Sequence, residues 1–178
     1  MNIPCLITCV RIVGTILMLF STPFTGVFYA IYTLSGISDV LDGYVARKTN
    51  QTSEFGAKLD SIADILFYAV MIFKIFPVLF SKLPIGYWIF IAVVVIVIVI
   101  SYIVAAVKYK CFASLHTYMN KLTGFAVFTI PYTVNLKVFL GFCAATCIIA
   151  AWATLEELII HIKSKEYNPK VKTIWKIA

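Results

Sequence analysis

Apolar residues come in six long blocks separated by short polar breaks, and the blocks are too continuous to be the buried faces of water-soluble elements. Each approaches the length needed to cross a hydrocarbon core as a helix, and together they predict an all-α membrane protein. The first block covers about 3–20 and ends at Ser21-Thr22-Pro23. The second runs about 24–47, and residues 48–53 form a polar loop. A third helix is expected over about 54–80, broken by Ser81-Lys82-Leu83-Pro84. The fourth, about 85–107, contains an unbroken β-branched run at 91–100 whose length favours a membrane helix over a strand. A basic connector, 108–120, leads to a fifth span at about 121–136. A sixth runs about 137–162, before a lysine-rich tail at 163–178.

Polar positions refine the picture. Apolar residues make up 62% of the 178 and charged ones only 13%, so the chain reads as one helical membrane domain over 1–178, with no room for a second sizeable one. No basic n-region or small-residue cleavage site marks the first block as a removable signal. With the N-terminus inside, the inner segments hold Arg47, Lys48, Lys58, Lys108, Lys110, Lys121 and the five lysines from Lys163 to Lys176, against Lys82 and Lys137 outside. That bias predicts both termini on the cytoplasmic side. The cations flank apolar blocks and form no soluble patch, which excludes nucleic acid as a partner. Five scattered cysteines, with Cys143 and Cys147 one helical turn apart, fit helix packing and complete no metal set.

Against this background four aspartates, half of the chain's eight acidic residues, fall between Asp39 and Asp64. Carboxylates beside a bilayer are costly and call for a compensating cation. Asp39 and Asp42, and Asp60 and Asp64, each share a helix face one turn apart. The short loop makes their helices antiparallel neighbours, so all four can converge at the cytoplasmic boundary. Hard oxygen donors suit magnesium, manganese or calcium, and four carboxylates can hold two such ions around a phosphoryl group. Gly43 and Gly56 weaken their helices unless a ligand or a second helix passes close, and Arg47 can offer a bidentate fork to a phosphate. The alternative is a solvated helix end with glycines serving helix packing.

The spacing D-x2-D-G-x2-A-R-x8-G-x3-D-x3-D is met at every position by Asp39, Asp42, Gly43, Ala46, Arg47, Gly56, Asp60 and Asp64. At these residues the chain resembles the CDP-alcohol phosphotransferase family, and its length, six spans and termini are similar to the family's small, often homodimeric, membrane enzymes. The resemblance implies two Mg2+ or Mn2+ ions on Asp39, Asp42, Asp60 and Asp64. It also implies a CDP pocket lined by Gly43, Ala46, Arg47 and Gly56, with Asp64 as general base for the acceptor hydroxyl. Ile3-Pro4 and Thr8 before Arg11 are similar to the family's N-terminal pattern, and Thr8 joins the CDP-binding candidates; Cys5 departs from it where many members carry asparagine. The implied reaction moves the phosphatidyl group of CDP-diacylglycerol to a small polar alcohol and releases CMP, in a bacterial cell membrane.

Glycerol 3-phosphate is the leading acceptor, because a phosphorylated acceptor needs cations and Lys121, Lys108, Lys110 and His116 lie in or beside the basic connector. Arg11 is a further candidate on the first span, where it must be paired or snorkel. Lys108-Tyr109-Lys110 stands where phosphatidylglycerophosphate synthases usually show an Arg-Glu pair, and lysine cannot reproduce the arginine fork. Serine or an inositol phosphate is the alternative acceptor. Outside this family, a cation transporter would need polar residues continuing across the bilayer, and the fourth and sixth spans offer almost none. Lys74 is expected to snorkel outward, and Glu156 and Glu157 to form a solvated helix end.

Overall fold

The structure is a computed structural model that describes residues 3–49, 54–110, 115, 117–164, 167 and 171–174. Its order is α1 (Ile3–Phe20), α2 (Gly26–Thr49), α3 (Glu54–Lys82), α4 (Ile85–Tyr109), α5 (Tyr118–Thr133) and α6 (Phe139–Lys163). The all-helical expectation and the six-helix order hold, with boundaries shifted by local capping. Thr25 accepts a hydrogen bond from the Phe28 N–H at 3.3 Å, so α2 starts at Gly26 and not at residue 24. Thr117 likewise accepts from the Asn120 N–H, which starts α5 at Tyr118, three residues before the expected position. Pro84 precedes α4, where a missing N–H and a fixed φ suit a helix start. Lys110 closes α4 in the left-handed region with φ 54°, its N–H bonded to the Ala106 carbonyl.

Three of the helices are by length and composition able to cross a membrane: Lys58–Lys82, Ile85–Tyr109 and Phe139–Lys163, with mean hydropathy 2.1, 3.2 and 1.7. On α4, Val93, Ile96, Val99, Ile100 and Ile103 are all exposed. A helix apolar on nearly every face is stable only where the surrounding medium is itself apolar.

The chain divides into two compact units, Met1–Lys82 and Leu83–Ala178. In the first, α1 packs on both α2 and α3. Phe28, Tyr32 and Phe67 form a stacked column, with ring centroids 6.0 and 5.6 Å apart, that ties α2 to α3. Gly14 lets α1 approach α2 closely: a Cβ there would meet Ser35 Oγ at 3.3 Å. Lys74 does not reach outward freely; its Nζ donates to the Ser21 carbonyl at 2.9 Å, covering an acceptor at the end of α1.

In the second unit α6 packs against α4 and α5. Here the sequence expectation for two acids is corrected: Glu156 and Glu157 are each only 7% exposed. Glu157 accepts from the Leu115 N–H at 3.2 Å and from Asn120 Nδ2 at 2.8 Å, and Glu156 accepts from Thr173 Oγ1 and the Ile174 N–H. Leu115, Thr173 and Ile174 thus lie against the last turns of α6, where the two carboxylates supply acceptors for backbone N–H and hydroxyl donors that are wholly or partly shielded from water.

Candidate active site

The acidic positions fall on facing helices of the first unit. α2 carries Asp39 in its later turns, and α3 carries Asp60 and Asp64 in its early ones, so the two polar ends adjoin. Ligand oxygens of Asp39, Asp60 and Asp64 all lie within 4.8 Å of one another, the only such acidic cluster among the described residues. Of Asp42, Gly43, Ala46 and Arg47 the helical backbone alone is described, so the arrangement of those expected site residues lies outside what is described. Gly56 lies in the first turn of α3, four residues before Asp60.

α1 supplies the cation. Arg11 is buried, its side chain 1% exposed, yet it lies among charged groups. Its Nη1 is ion-paired with Asp39 Oδ1 and lies 3.3 Å from Asp64 Oδ1, while its Nη2 pairs with Asp60 Oδ1 and donates to the Asp60 carbonyl at 3.3 Å. Each partner removes the other's cost, since a buried guanidinium needs anions and three crowded carboxylates need a cation. Thr8, one turn before Arg11 on the same helix, is also buried.

The remaining candidates lie in the second unit. Lys108 Nζ donates to the carbonyls of His161 at 2.9 Å and Ile162 at 2.7 Å, capping the C-terminal end of α6. Lys110 is exposed in the α4 cap, and Lys121 is exposed in the first turn of α5. His116 falls outside the described residues. The sequence pattern gave no sign of the bond from Asn120 to Glu157 that ties the start of α5 to α6.

The donor set fits a divalent metal. Three carboxylates with oxygens this close match the oxygen-ligand preference of a hard divalent cation, and Arg11 shows that the pocket they form takes a cation.

The profile of the family described as CDP-alcohol phosphatidyltransferase matches residues 1–162. The chain is 40% identical over 75 residues to "CDP-diacylglycerol--glycerol-3-phosphate 3-phosphatidyltransferase" of Pseudomonas fluorescens, covering 39% of this chain and 38% of that protein. It is 44% identical over 69 residues to the protein of the same name from Wigglesworthia glossinidia brevipalpis, covering 36% and 38%. It is 55% identical over 42 residues to "CDP-diacylglycerol--serine O-phosphatidyltransferase" of Methanocaldococcus jannaschii, covering 24% and 21%. The matched stretches thus span well under half the length of these relatives. No solved structure matches the chain. A family match running from the first helix through nearly all of the sixth, around a complete D-x2-D-G-x2-A-R-x8-G-x3-D-x3-D spacing, makes this chain a member of the CDP-alcohol phosphatidyltransferase family.

Proposed function

We propose that the protein transfers the phosphatidyl group of CDP-diacylglycerol to the hydroxyl of glycerol 3-phosphate, releasing CMP and giving phosphatidylglycerophosphate. The observation that carries this reading is the convergence of Asp39, Asp60 and Asp64 inside the complete family spacing. Asp39, Asp42, Asp60 and Asp64 hold two Mg2+ or Mn2+ ions, which when bound neutralise the diphosphate and the charge that develops on the departing CMP. Arg47 forks onto the diphosphate, and Gly43, Ala46, Gly56 and Thr8 leave room for the CDP moiety. Asp64 accepts the proton of the acceptor hydroxyl, whose oxygen attacks the β-phosphorus. The bond from that phosphorus to the bridging oxygen breaks, and CMP leaves with the electron pair.

The whole chain acts as one domain, with six spans in a bacterial cell membrane and both termini, with the aspartates, on the cytoplasmic side. The lysine bias and the three long apolar helices support this topology. Two such chains form the working homodimer. Lys121, exposed in the first turn of α5, is the acceptor-phosphate candidate best supported by its exposure, while Lys108 has carbonyl partners of its own. Lys110 and His116 belong to the same basic connector.

A second reading has serine as acceptor, and the 55% identity over 42 residues to the Methanocaldococcus jannaschii protein favours it. Purified protein supplied with CDP-diacylglycerol and, separately, glycerol 3-phosphate, serine and inositol phosphate separates the two by the mass of the lipid product. Phosphatidylglycerophosphate, with turnover reduced in Lys121→Ala, is the expected result. Phosphatidylserine formed at undiminished rate in that variant selects the second reading.

A further inference from the structure

An arginine buried in a membrane helix needs a reason to be there, and the geometry of Arg11 supplies one. It enters from α1, 28 residues before Asp39, and its guanidinium meets three carboxylates of the family spacing from two other helices. Those carboxylates are 50%, 43% and 43% exposed, so solvent and ligands reach them from one side while Arg11 closes the other. Without a cation, anions this close repel and drive the ends of α2 and α3 apart.

Where a divalent ion sits among these groups, it stands about 2.0–2.6 Å from each oxygen it takes. A guanidinium on the same carboxylates is then within a few ångströms of that ion, and like charges at such separation repel strongly in a site partly shielded from water. The two cations therefore compete for the same anions.

We propose that Arg11 is the resident counter-ion of the metal site: it keeps the carboxylates assembled while no divalent ion is bound and gives up its hold on them as ions enter. Metal uptake is thus an exchange, and Arg11 sets its affinity. Arg11 is a positioning residue in this role. The inference rests on the metal-site reading above and adds to it a group from the first helix.

The test is Mn2+ binding by the full chain in detergent, without substrate, with calorimetry giving affinity and thermal unfolding giving stability. Arg11→Gln removes the competing charge, and its apparent Kd for Mn2+ falls about tenfold, the size expected when one charged hydrogen-bonded partner no longer has to be displaced. Its metal-free Tm falls, and the rise in Tm on adding Mn2+ grows. Arg11→Lys keeps a charge but cannot bridge three carboxylates, so its Kd lies between the two. If Arg11→Gln requires Mn2+ to remain folded, the Arg11→Lys comparison alone decides. Affinity equal to or weaker than wild type in the variant that decides overturns the exchange while leaving the metal site standing. Absence of Mn2+ binding by the wild type overturns the metal site itself, and the exchange with it.

Discussion

Asp64 has two tasks in the proposed reaction, as an ion ligand and as the acceptor of a proton, and its substitution separates them. Asp64→Asn keeps shape and oxygen donor but removes the base, so kcat should fall on the order of a thousandfold while single-turnover binding of CDP-diacylglycerol persists. Loss of binding in step with kcat would assign Asp64 to ligation alone. The aspartates were legible in the sequence because their spacing of three and four residues stacks them on helix faces. Arg11 was legible only as a residue that must be paired: its partners lie on other helices, and no local pattern names them. Glu157 was misread for a related reason. Two acids near a lysine-rich tail look solvated, but Glu157 is needed by the Leu115 N–H and Asn120 Nδ2. Glu157→Ala strands the Leu115 N–H and leaves Asn120 Nδ2 only its bond to the Leu115 carbonyl, so it should lower stability by about 2 kcal/mol, measured by thermal unfolding in detergent, with Glu157→Gln losing less.

Helix identity followed directly from the apolar blocks, whereas helix ends depended on single capping side chains. Thr117 moved the start of α5 forward because its hydroxyl satisfies the Asn120 N–H, a choice invisible to hydropathy. The approach of α1 to α2 has a comparable dependence on Gly14, one turn after Arg11. A Cβ there meets Ser35 Oγ at 3.3 Å and Ile31 Cγ2 at 3.7 Å, so a small side chain asks little of its neighbours and a large one does not fit. Gly14→Leu should push α1 from α2 and cost about 1–3 kcal/mol of stability. Because the same helix carries Arg11, Mn2+ affinity should change as well. Gly14→Leu with wild-type unfolding and metal binding would show that the close approach is not needed to hold the site.

Across the whole chain, the charge bias makes a prediction that helix packing alone does not. A single cysteine placed at Lys82, in a cysteine-free background, should react with an impermeant maleimide added outside intact cells. One placed at Lys163 should react only after permeabilisation. The reverse pattern would put the aspartates on the wrong side for CDP entering from the cytoplasm. The two compact units, Met1–Lys82 and Leu83–Ala178, were not legible, because six similar apolar blocks give no hint of which helices pair. The clustered aspartates and Arg11 belong wholly to the first unit, the expected acceptor lysines to the second.

If the carboxylate cluster carries out metal-dependent phosphatidyl transfer, the purified protein releases CMP. With CDP-diacylglycerol, glycerol 3-phosphate and Mg2+ or Mn2+, wild-type protein should release CMP, and EDTA or Asp60→Asn should abolish the release. CMP release that survives both treatments, or none from the wild type with any acceptor and either ion, would contradict it.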